Sequence, residues 1–93
     1  MDSQNRTPAM NQKIFTLGLS VETISVYLMC CNLQDNDTTI STKNLSGVWN
    51  GEESLLREGL KDLEERNILR KIISDKEENN IYQLSHVERW KSS

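Results

Sequence analysis

Residues 51–69 read Gly51-Glu52-Glu53-Ser54-Leu55-Leu56-Arg57-Glu58-Gly59-Leu60-Lys61-Asp62-Leu63-Glu64-Glu65-Arg66-Asn67-Ile68-Leu69. Leu56, Leu60 and Leu63 recur at intervals of four and three, which on a helix puts them on one face. Gly59 stands beside them, where the missing side chain lets another element approach closely. The spacing predicts a helix from about Glu52 to Arg66. Asn67 suits its end, because Asn tolerates the left-handed conformation that closes many helices. With the leucines inward, Ser54, Glu58, Lys61 and Glu65 form the outermost row.

Upstream, Asn50-Gly51 is a turn signal. A second, shorter helix is expected over Lys43 to Trp49, capped by Ser41 or Thr42 and preceded by the β-prone stretch Thr38-Thr39-Ile40-Ser41. Gln34 to Asp37 form a polar turn. Before it, a first helix runs from Val21 to about Leu33, with Ser20 as N-cap and Glu22 in the first turn, where the helix dipole favours an acid. Val21, Ile24, Tyr27, Leu28 and Cys31 share one face of this helix. Val26, Met29, Cys30 and Leu33 cluster on the other, so it is apolar nearly all round. Such a helix needs cover on two sides, either from Phe15, Leu17 or the Trp90 tail, or from a second copy of the chain. The favoured expectation is a homodimer through Val26, Met29, Cys30 and Leu33.

Ile14 to Leu19 is a short apolar approach, a strand or an extended segment. Residues 1–13 are polar, contain the only proline, and are expected to be a disordered lead-in. Downstream, Ile68 to Ser74 and Ile81 to Leu84 are strand-like runs around the polar tip Asp75 to Asn80, the pattern of a β-hairpin. The tail, residues 85–93, suits a short helix docking Val87 and Trp90. The chain thus reads as one α+β domain, mostly α, over residues 14–84.

Two helices joined by a tight turn and followed by a hairpin resemble a winged helix-turn-helix. The resemblance runs from Leu19 to Leu84. It is carried by Leu45-Ser46-Gly47-Val48-Trp49-Asn50 and by Gly51 to Leu69, with Leu60 to Leu69 (LKDLEERNIL) similar to the end of that family's recognition helix leading into the wing. The opening, Leu19 to Leu28, is similar to winged-helix domains of plasmid and phage replication initiators and DnaD-type proteins, and MarR-like regulators share the layout. The resemblance implies double-stranded DNA as ligand, in transcription regulation or replication initiation, and pairing into dimers.

On that basis Lys43, Arg57, Lys61, Arg70, Lys71 and Lys76 are candidates to hold phosphates, and Ser54 and Arg57 to approach bases. The charge pattern competes with this. The chain carries 11 basic and 14 acidic residues, a net charge of −3. From Thr42 to Lys76 the two signs balance, and Glu52-Glu53 lead the presumed recognition helix, where carboxylates repel phosphate. The alternative is a protein-interaction module that uses the same scaffold without DNA, supported by the acidic balance and Leu55.

An enzyme is the weakest expectation. The paired carboxylates Glu52-Glu53 and Glu64-Glu65 fall on solvated faces, His86 is the only histidine, and no glycine-rich phosphate loop occurs. No cofactor or metal is implied: Cys30 and Cys31 are neighbours on a helix, too few for a metal site and wrongly placed to staple distant segments. Two cysteines with no export signal point to a reducing, cytoplasmic setting. No run of ~18 apolar residues exists to cross a membrane.

Overall fold

The computed structural model describes residues 8–74 and 79–91. Helix α1 (Val21–Asp35) is followed by strand β1 (Ile40–Ser41), helix α2 (Thr42–Val48), helix α3 (Glu53–Glu65), and strands β2 (Leu69–Ile73) and β3 (Ile81–Leu84). The result is a mostly helical α+β domain in which the strands form one antiparallel sheet of order β1-β3-β2. The hairpin is therefore not a free ribbon. Ile40 pairs with Tyr82 and Ser41 with Ile81, so the short strand before α2 becomes the third member of the sheet.

Local chemistry fixes the element ends. The Ser20 hydroxyl oxygen accepts the Thr23 amide and starts α1, and that of Ser41 accepts the Asn44 amide and starts α2. Asn67 follows α3 with φ of 62°, the left-handed turn expected of it. From there the chain enters β2 directly, with Ile68 and Leu69 buried.

One core joins all elements. Leu56, Leu60 and Leu63 of α3 face inward onto α1, with Leu45 of α2, Ile68, Leu69 and Tyr82 closing the sheet side. Gly59 faces Val26 at a distance that admits no side chain: a Cβ there would lie 2.8 Å from Val26 Cγ2.

Helix α1 corrects the expectation from sequence. Its buried residues are Thr23, Val26, Tyr27, Cys30 and Cys31, while Val21 is 75% exposed and Leu28 38% exposed. Val26 and Cys30, expected at a dimer contact, are fully buried in the core of their own chain. Met29 and Leu33 are half-buried and pack against that core. The cause is the close approach at Gly59, which turns the Val26 side of α1 towards α3. With apolar residues nearly all round α1, periodicity could not choose the face.

The segment before α1 also departs from expectation. Gln12–Thr16 is a 3-10 helix that buries Ile14, not a strand or an extended run. Residues 8–13, expected to belong to a disordered lead-in, are tied to α1: the Ala9 amide donates to Asp35 Oδ1 at 3.0 Å and the Asn11 amide to the Tyr27 hydroxyl at 3.0 Å. At the other end, Val87–Arg89 forms a short 3-10 helix. Trp90 beyond it is buried and meets Tyr27 edge-on, with ring centroids 5.7 Å apart. Its indole N–H donates to the Ser85 carbonyl, and the Lys91 amide donates to the Arg66 carbonyl at the end of α3.

Among the described residues, no helix is long and apolar enough to cross a membrane. Cys30 and Cys31 are free and buried. Burial pushes the Cys30 thiol up to about 12 and that of Cys31 up to about 11, so both stay protonated near neutrality.

Candidate functional site

The turn between α2 and α3 is held by local contacts. The Trp49 indole N–H donates to the Glu52 carbonyl at 2.9 Å. Its ring lies over Gly51, where a Cβ would come within 3.0 Å of Nε1. The Ser46 hydroxyl donates to Glu53 Oε2 at 2.8 Å. One of the two carboxylates at the start of α3 is therefore turned back towards α2 and away from the outer face of the helix.

With its leucines committed to the core, α3 leaves Ser54, Arg57, Glu58, Lys61 and Glu65 exposed. The tip end of the hairpin, just ahead of β3, is clamped beside that face. The Thr42 amide donates to the Asn80 carbonyl at 2.9 Å, the Asn80 amide donates to the Thr42 hydroxyl at 3.1 Å, and the Lys43 amide donates to Asn79 Oδ1 at 3.1 Å. These bonds extend the β1–β3 ladder into the first turn of α2. They fix where the hairpin stands relative to both helices.

Between the start of α2, the outer side of α3 and the hairpin lies an open groove of about 920 Å³. Among the described residues, four cationic ones from three elements line it: Lys43 of α2, Arg57 and Lys61 of α3, and Lys71 of β2. Thr42, Asn79, Asn80 and Tyr82 line it too, as do Leu60 and two carboxylates, Glu64 and Glu65. Cations outnumber carboxylates in this lining, the reverse of the balance over the whole chain. A concave, open, cationic surface of this size suits an extended polyanion laid across it.

The sequence-derived candidates divide accordingly. Lys43, Arg57, Lys61 and Lys71 come together. Arg70 does not: it pairs with Gln83 while Lys71 pairs with Tyr82, and successive residues of a strand point to opposite faces. Ser54 is exposed in the first turn of α3 but is not among the groove residues. Lys76 lies outside the described residues. Sequence reasoning missed Asn79 and Asn80, taken only as part of a polar tip, and Thr42, taken only as a possible cap. It also treated Glu64-Glu65 as a solvated pair. The signal for those two was present, since they stand seven and eight residues after Arg57 and thus on its stripe of the helix.

Among the described residues, no group of three or more His, Cys, Asp or Glu is placed to hold a metal ion. No protein-family model, curated protein or solved structure matches the chain in comparison. The groove's assignment rests on its own geometry and charge.

Proposed function

We propose that the chain is a winged helix-turn-helix module that binds double-stranded DNA, with α3 as the recognition helix and the β2–β3 hairpin as the wing. The observation that carries this is the convergence of Lys43, Arg57, Lys61 and Lys71 on one groove. Support comes also from the element order, in which a helix, a short strand and a second and third helix precede a hairpin that pairs back onto the strand. Lys43, Lys61 and Lys71 hold backbone phosphates. Arg57 reaches from the outer face of α3 towards base edges, with Ser54 at the helix start. The carboxylates of Glu64 and Glu65 bound the cationic part of the groove and limit how many phosphates it takes. Transcription regulation or replication initiation are the processes such a module serves.

The test is fluorescence anisotropy of a labelled random duplex titrated with the full chain at a low and a moderate salt concentration. Expected is binding that weakens steeply with salt, by a log–log slope of about −2.7 to −3.6 if roughly three to four phosphates are neutralised. Absence of binding at low salt, or binding that ignores salt, removes this function. Salt-insensitive capture of a protein would instead favour the interaction-module alternative, for which the half-buried Leu55 in the first turn of α3 offers an apolar contact.

A further inference from the structure

Strand β3 is the middle strand of the sheet, and Tyr82 on it pairs with Lys71 of β2 on one side and with Ile40 of β1 on the other. Directly opposed residues of antiparallel strands send their side chains to one face, with Cβ atoms about 5 Å apart. Lys71 and Tyr82 are such a pair, and both line the groove. Asn80, two residues before Tyr82, stands on the same face, and its side-chain NH2 donates to the Tyr82 hydroxyl at 3.4 Å. Across from Lys71, the Thr42–Asn80 and Lys43–Asn79 hydrogen bonds bring the start of α2 alongside. Tyr82 thus lies between a lysine of β2 and a lysine of α2. The two carboxylates of the groove come from the last turn of α3 and from none of these segments.

The hydrogen bonds inside this corner leave two neutral donors unspent. The Tyr82 oxygen accepts from Asn80, and among the described residues no acceptor takes the hydroxyl proton. Asn79 Oδ1 accepts the Lys43 amide, which fixes which end of that side chain is oxygen and leaves its NH2 without an acceptor among the described residues. The Tyr82 ring is only 6% exposed, so its hydroxyl is carried on a side chain that the core holds still.

We infer that this corner seats a single phosphodiester group, held between the ammonium groups of Lys43 and Lys71 and oriented by hydrogen bonds from the Tyr82 hydroxyl and the Asn79 NH2. This rests on the reading of the groove as a duplex site. The neutral donors supply what the lysines lack. An ammonium on a flexible stem attracts a phosphate from many directions. A hydroxyl fixed by a buried ring accepts one placement of a phosphate oxygen, and so sets the register of the DNA backbone against α3.

Anisotropy titrations of the labelled duplex at two salt concentrations test the seat with three variants. Tyr82→Phe keeps the buried ring and removes only the hydroxyl. It is expected to weaken binding about tenfold and to leave the log–log salt slope unchanged, because a neutral donor neutralises no phosphate. Asn79→Asp keeps the oxygen that accepts the Lys43 amide but sets a carboxylate where the NH2 was; its loss should exceed tenfold. Gln83→Glu is the control. It adds the same charge one residue from Tyr82, on the opposite face of the strand, and should change binding at moderate salt by less than about twofold. Melting temperatures close to that of wild type show that each variant is folded.

A wild type that does not bind the duplex removes the function of the groove and the seat with it. A wild type that binds, with Tyr82→Phe indistinguishable from it or Asn79→Asp no weaker than Gln83→Glu, leaves the function standing and overturns the seat. Calorimetric titration with inorganic phosphate at matched ionic strength separates a backbone phosphate from a free one. Negligible heat is expected; saturable binding that Tyr82→Phe abolishes would give the seat to a free anion and overturn its place in duplex recognition.

Discussion

Gly59 and Val26 touch as backbone to side chain: a Cβ at position 59 would stand 2.8 Å from Val26 Cγ2 and 3.5 Å from the Thr23 Cα. That close approach sets the distance between α1 and α3, and through it the placing of every leucine of α3. Gly59→Ala is expected to cost about 1–3 kcal/mol by overpacking, despite the better helix propensity of Ala. Adding Val26→Ala should recover part of the stability. Urea unfolding of the single and double variants measures both; a neutral Gly59→Ala would mean that the helices can separate freely.

Within the groove, charge removal should act through salt dependence. Replacing Lys43, Lys61 or Lys71 by Ala is expected to weaken duplex binding at low salt and to reduce the log–log salt slope by about 0.9 for each phosphate no longer neutralised. Arg70→Ala, one residue from Lys71 but on the opposite face of the strand, should change neither quantity appreciably. Equal effects of Arg70→Ala and Lys71→Ala would show that general charge, not the groove, governs binding.

Trp90 closes the core from the far end of the described chain, edge-on to Tyr27. Trp90→Ala is expected to destabilise the domain by about 3 kcal/mol or more, as removal of a large buried aromatic does. In a domain of this size that is a large fraction of the total stability. Thermal melts followed by far-UV circular dichroism check it, and a change below about 1 kcal/mol would mean the ring is dispensable.

The buried thiols make stability fall with rising pH. In the unfolded chain Cys30 and Cys31 ionise near their ordinary value of 9.0, while in the fold burial raises them to about 12 and about 11. Above pH 9 the unfolded state therefore binds fewer protons and gains stability relative to the fold. The decline is expected to begin near pH 9 and to approach about 1.4 kcal/mol per pH unit for each thiol, until the folded-state values are reached. Chemical unfolding at pH 7 and pH 10 measures it. The Cys30→Ala/Cys31→Ala variant should be less stable but flatter with pH; an equally steep profile would assign the effect to other groups.

Much of the fold was legible because its signals are local. Ser20, Ser41 and Asn67 each act through hydrogen bonds or dihedral preference within a few residues, and each does what its chemistry dictates. Helix α3 was legible because its apolar stripe is narrow and its charges lie outside it. Helix α1 was not, since only the distant Gly59 decides which of its two apolar faces turns inward. The groove was half legible for the same reason. Arg57 and Lys61 are a helical turn apart, but Lys43 and Lys71 meet them only through the Thr42–Asn80 clamp and the pairing of Lys71 with Tyr82. Which of Arg70 and Lys71 faces the groove depends on that register, and a one-residue slip would exchange them.

The bonds joining Thr42 and Lys43 to Asn79 and Asn80 also bear on how a ligand is received. They stitch the tip end of the hairpin to the start of α2, so the two walls of the groove cannot hinge independently. A molecule entering it meets walls already fixed against each other and should spend little of its interaction energy on ordering that backbone. Cutting one stitch, as Thr42→Val would by removing the hydroxyl that accepts the Asn80 amide, should leave the cations in place yet make the cleft looser.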